Sequence, residues 1–380
     1  MSTSTGVPVP RWLARAGVAW SLACIVCATW WLFDPGSAPL PTSDDPVSLL
    51  GYLQPRPGAA LCLGFALLGT VVAALSGRRG QEVSRGAVVA GAAATAFFGV
   101  VAPDIQLLSV LGYSMALLGV PVVVTLLVAG ALRHRTNLVV LAVIGAAIAA
   151  GIAAGEIGAP TVELLGQVRD GFARVGVRPL IVAFLAAGGL ILGAITLTMA
   201  RARSGPSSRE RLARWGRIAT VIAALGPVPY GLLRLTWATP WPQGLGPGGD
   251  EGLLEGGIRV FGICLGLAAL SGCWLTLGLI SRWGRTWPRW VPGLRGRPVP
   301  VVAAVVPAGL VATALCAGAV SLAVMAVRDA SPGLLLFIPA PVWGPALLLA
   351  AYAYYRGRTE PVPERAAVQP SLTGARDDRS

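Results

Sequence analysis

Ser281–Pro300 reads SRWGRTWPRWVPGLRGRPVP: five arginines, three tryptophans and no acid, set between two long apolar runs. A basic, aromatic segment in that position is a membrane-surface loop. Its charge assigns it to the cytoplasmic face, because arginine is retained on the inner side of apolar spans. Arginines there meet anionic headgroups at about 1 kcal/mol each near the surface. Trp283, Trp287 and Trp290 suit the headgroup level, and the same loop could instead dock a cytoplasmic protein.

The rest of the chain agrees with a membrane reading. Its 380 residues are 55% hydrophobic and only 12% charged, with mean hydropathy +0.70, too apolar for a soluble fold. A net charge of +13 would suggest nucleic acid in a soluble protein, but here most arginines flank apolar runs, so no nucleic-acid partner is expected. Every basic residue is arginine, a bias that fits a GC-rich bacterial genome.

A helix needs ~20 apolar residues to cross the hydrocarbon core. Ten runs qualify: 11–33, 58–76, 85–102, 106–132, 137–155, 179–200, 215–237, 257–280, 299–327 and 333–355. The first is closed by Trp30, Trp31 and Phe33 rather than by small residues, so it reads as an uncleaved anchor. With both termini cytoplasmic, 23 of the 30 arginines fall on the inner side and 11 of the 17 acids on the outer side. The expectation is an all-α integral membrane protein of the bacterial plasma membrane: one polytopic domain over 1–355 and a disordered cytoplasmic tail over 356–380.

Two outer connections are longer than a turn requires. Segment 156–178 places Val162, Leu165, Val168, Phe172 and Val175 at helical spacing, as an amphipathic surface helix would. Loop 238–257 is Gly/Pro-rich and ends in acids. A shorter likeness links Cys62–Leu68 (CLGFALL) with Cys264–Leu270 (CLGLAAL), each preceded by paired acids and followed by arginine and glycine. Two readings stand: a parallel repeat relating spans 1–4 to 7–10, as in some transporters, or chance similarity between Ala/Leu/Gly-rich helices.

Catalytic and metal-binding motifs give little. The single histidine, His134, lies in an inner turn, and no carboxylate falls near the centre of a span, so neither a metal centre, a cofactor site nor a proton relay is expected. The Cys24/Cys27 pair lacks a second ligand pair and reads as small packing residues, as do Gly189 and Gly193 on one helix face. Span seven has the most unusual content: Gly226-Pro227-Val228-Pro229-Tyr230-Gly231, then Arg234, Trp237 and Trp241. Two prolines free backbone carbonyls there. The candidate substrate-binding residues are therefore Tyr230, Arg234 and Trp237, with Asp250 and Glu251 placed to pair with the arginine. An interfacial arginine snorkelling above an aromatic belt is the plainer alternative.

The strings Arg214-Trp215-Gly216-Arg217 and Arg234-Leu235-Thr236-Trp237-Ala238, with Arg282-Trp283-Gly284 and Pro288-Arg289-Trp290-Val291-Pro292-Gly293-Leu294, resemble an uncharacterised family of actinobacterial multi-pass membrane proteins over residues 211–327. That resemblance implies a bacterial membrane protein and carries no activity. Kinked spans and the absence of a large soluble domain favour a small-molecule permease or exporter. The alternatives are a non-transporting scaffold, sensor or regulatory subunit, and a lipid-acting enzyme with Arg234, Asp250 and Glu251 as its only eligible polar set. No catalytic residue is assigned, and a non-enzymatic role is expected.

Overall fold

The computed structural model describes residues 9–38, 49–78, 83–115, 176–203, 208–244, 258–287, 294–329 and 332–359, with scattered positions between 125 and 173. Among the described residues the chain is helical and has no strand. The helices are α1 (Arg11–Phe33), α2 (Pro55–Ser76), α3 (Arg85–Val101, its last turn widened to a π-turn), α4 (Gln106–Met115), α5 (Arg178–Arg203), α6 (Ser208–Leu225), α7 (Val228–Leu235), α8 (Ile258–Leu277), α9 (Val301–Arg328), α10 (Gly333–Phe337) and α11 (Ala340–Thr359). Helices dominate because a chain this apolar must satisfy its backbone within each segment when it leaves water.

Seven of these stretches are long and apolar enough to cross a membrane, counting α6–α7 and α10–α11 as one span each. The pair α3–α4, bent by 65° across Ala102–Ile105, makes an eighth if taken as one broken span. The sequence divided that region into separate runs at 85–102 and 106–132. Beyond Met115 most of the fourth run, and most of the fifth at 137–155, lie outside the described residues, among which seven to eight candidate spans are present. The tail boundary also moves. α11 continues to Thr359, four residues past the expected end of the domain, because Arg358 is tied down by the carbonyls of Arg285 and Val299. Residues 360–380 lie outside the described residues.

Two cores organise the bundle. In the first, α1 lies along α2, and α5 packs on α3 and α1. Trp20 is its centre: it meets Phe98 edge-on at 4.8 Å, and its Nε1 donates to the Phe184 carbonyl at 2.9 Å. The α3–α5 crossing depends on glycine, since a Cβ on Gly189 would lie 2.6 Å from the backbone of Gly99. Small residues allow such approaches between membrane helices, as read from the spacing of Gly189 and Gly193. Cys24 and Cys62 are fully buried in this core, and all six cysteines are unbridged. The second core joins α6, α9 and α11, with α7 and α8 laid along it. The helix packing differs between the halves: α2 lies on both α1 and α3, whereas α8 lies on α6 and α7 without a comparable contact with α9.

The arginine-rich segments gather at one end. Arg203 bonds the carbonyl of Val83, joining the end of α5 to the segment before α3. Arg201 donates to Tyr352 Oη at 3.2 Å and lies over the Tyr352 and Tyr355 rings, joining α5 to α11. Tyr354 Oη donates to the Gly284 carbonyl at 2.7 Å, which brings the 281–300 loop to the same place. That loop is folded back on itself: Trp287 N donates to the Arg297 carbonyl at 2.9 Å and Val299 N to that of Arg285 at 2.9 Å. Trp283 and Trp287 of this loop line the cavity described below. Trp283 stacks on Trp274 of α8 with ring centroids 4.2 Å apart, while Trp290 lies outside the described residues.

A candidate binding cavity beneath Arg234

The break in span seven is where the sequence places it. α6 ends at Leu225, Gly226 and Pro227 interrupt it, and α7 restarts at Val228. The break is held open from the side, because the Trp343 ring of α11 occupies the space a Cβ on Gly226 would need. The redirected α7 then presses on α8 through glycines. A Cβ on Gly262 would lie 2.3 Å from the Trp237 ring, and one on Gly266 would lie 2.9 Å from Arg234 Cβ. The Gly262-xxx-Gly266 spacing is a packing motif, and here it sets where Arg234 and Trp237 sit.

Tyr230, Arg234 and Trp237 come together as one group. Arg234 Nε donates to Tyr230 Oη at 3.1 Å. The guanidinium lies 4.1 Å from the Trp237 ring centroid and 5.2 Å from that of Tyr230. Such cation–π contacts contribute roughly 0.5–2 kcal/mol depending on desolvation. Trp237 is fixed in turn, its Nε1 donating to the Gln243 carbonyl at 2.9 Å. Trp241, by contrast, is 75% exposed and takes no part. Asp250 and Glu251, and with them residues 245–257, lie outside the described residues. So does much of segment 156–178, whose described positions between 162 and 173 are helical.

These three residues line a cavity of about 1010 Å³. α4 forms one wall, α7 and α8 the opposite one, and α9 and α11 the back, while Trp283 and Trp287 close the far end. The size is at the top of the roughly 300–1,000 Å³ range of small-molecule sites. The lining is mostly aliphatic, aromatic or glycine, and Arg234 is its only charged residue among those described. Two polar atoms at the wall, Gln106 Oε1 and Trp343 Nε1, are buried without a hydrogen-bond partner among the described residues. Buried polar atoms are nearly always paired, so these two are exceptions among the described residues.

Gln106, Trp283 and Trp343 escaped the sequence reading. Gln106 follows the α3–α4 bend, and nothing local says which way its side chain faces. A signal did exist for the α7–α8 contact, in the Gly262/Gly266 spacing. Near Gln106 sits a buried ion pair: Asp104 Oδ2 accepts from Arg178 Nη2 at 2.8 Å, with the Asp104 side chain 1% exposed. The sequence placed Asp104 at the outer surface, whereas the fold encloses it. Comparison with protein-family models, curated proteins and solved structures finds no match to this chain.

Proposed function

We propose that this protein is a permease or exporter of small molecules, using the cavity between α4, α7, α8 and α9 as its solute site. The observation that carries the reading is the cavity itself: about 1010 Å³, walled by broken helices and marked by a single charge at Arg234. Sites in membrane transporters characteristically lie between helices, beside interrupted segments. In this reading the chain has ten spans and sits in the bacterial plasma membrane with both termini cytoplasmic. The arginine-rich end, which includes Arg201, Arg203, Arg285 and Arg358, faces the cytoplasm and its anionic lipid headgroups. Arg234 then faces the outside.

A strain lacking the gene is expected to differ from its parent in the imported or exported pool of a defined set of compounds. Unchanged uptake, export and toxin resistance across a broad panel would count against transport. The orientation has its own test. In intact cells, Gly249→Cys should react with a membrane-impermeant maleimide, and Ser208→Cys should react only after permeabilisation; the reverse pattern overturns it.

A non-transporting scaffold or regulatory subunit is the second reading. It is favoured by α8, the least buried of the candidate spans, whose free flank could carry a partner helix. Such a protein would not need its cavity empty.

A further inference from the structure

We propose that the cavity takes a single-chain anionic amphiphile, with its acidic head on Arg234 at the outer mouth and its chain running along α8 toward Trp283. This rests on the permease reading and names the class of molecule that would be moved.

The charge argument comes first. Arg234 is the only charged residue among the described lining residues, so no carboxylate among them shares the wall with it. Its Nε is spent on Tyr230 Oη, and its flat face lies on Trp237. That arrangement fixes the plane of the guanidinium and leaves the two terminal nitrogens as an oriented fork. A planar fork is suited to carboxylate, phosphate or sulfate oxygens. Held partly buried beside apolar walls, the guanidinium discriminates by charge far more strongly than it would in water. An ammonium head would be repelled here.

The remainder of the cavity asks for an apolar body. From Ile258 to Leu279 its lining follows α8 for most of the helix, about 30 Å at roughly 1.5 Å per residue. Gly262, Leu265, Ala268, Ala269 and Gly272 present small or aliphatic surface along that length, without a charge. A compact polar solute would leave these walls unsolvated, whereas a chain covers them.

Tryptophan reports this directly, because Trp237, Trp274, Trp283, Trp287 and Trp343 all line the cavity. The full-length protein, reconstituted in phosphatidylcholine vesicles, would be titrated with dibromostearate, its methyl ester and a dibrominated long-chain amine. Background from the bilayer would be taken from an unrelated membrane protein. The expected result is saturable quenching by the acid, at concentrations at least tenfold below those needed for ester or amine. Arg234→Gln should remove that preference and Arg234→Lys should keep part of it. Equal quenching by all three probes would overturn the proposal, as would quenching that never exceeds background. An unchanged preference in Arg234→Gln would overturn it too. The probe series on the unaltered protein needs no variant to fold. Binding is read without flux, so a failed transport assay beside selective quenching would fall on the permease reading alone.

Discussion

Replacing Asp104 with alanine is expected to destabilise the protein by about 3–5 kcal/mol, the usual cost of removing one member of a buried ion pair. Asp104 lies within the 65° bend between α3 and α4, and its two oxygens have separate duties. Oδ2 accepts from Arg178 Nη2 at 2.8 Å, which ties the start of α5 to the bend. Oδ1 accepts from Gln106 N at 2.9 Å, capping the first turn of α4. Without the carboxylate, Arg178 keeps a largely enclosed charge with no counter-ion, and its Nε already lacks a hydrogen-bond partner. A capping bond is lost as well, about 1 kcal/mol by itself. The loss should appear as a markedly lower temperature at which half the detergent-solubilised protein aggregates. Pairing the change with Arg178→Met should recover part of it, since two well-packed apolar residues replace a buried ion pair at little cost. An Asp104→Ala protein as heat-resistant as the parent would mean that the pair does not hold the bend.

The same residue shows where reading the sequence stopped. Span limits come from hydropathy, and Asp104 stands at the end of an apolar run, so it reads as surface. Its burial is made by Arg178, 74 residues later, folding over it at the head of another helix. No local pattern encodes that meeting. The loop at 281–300 teaches the same lesson: its arginines announce one side of the membrane, and the structure gathers them with Arg201, Arg203 and Arg358. Trp283, read as part of an interfacial belt, also stacks on Trp274 of α8, because Gly278 and Gly284 let the loop fold against the helix end.

Features set by near neighbours were legible. Proline beside glycine ends α6 at Leu225, and Pro339 separates α10 from α11. The glycine-spaced face of α5 packs as its spacing implies. Tyr230 and Arg234, one turn apart on α7, meet Trp237 of the 3-10 turn that follows for the same reason. The cavity they line was not legible, since it is enclosed by residues that α4, α7, α8, α9 and α11 bring together from distant parts of the chain. Shape of that kind belongs to the packed bundle and to no single segment.

A passage can be blocked where it has room, and Gly272 offers the place. It lines the cavity on α8, and a Cβ there would meet nothing within 4 Å, so a side chain can start into the space without striking a neighbouring helix. Gly272→Trp is expected to insert and accumulate like the parent while narrowing the passage at that level. Glycine within a helix costs about 0.5–1 kcal/mol relative to alanine, so the backbone should not suffer by the change. A transporter so plugged is expected to lose at least tenfold in rate, whereas a scaffold or regulator should be indifferent. The decisive measurement is export and uptake in the deletion strain complemented with either form at equal membrane abundance. The cavity account predicts that the parent gene restores the missing fluxes and Gly272→Trp does not. Full restoration by Gly272→Trp would contradict it.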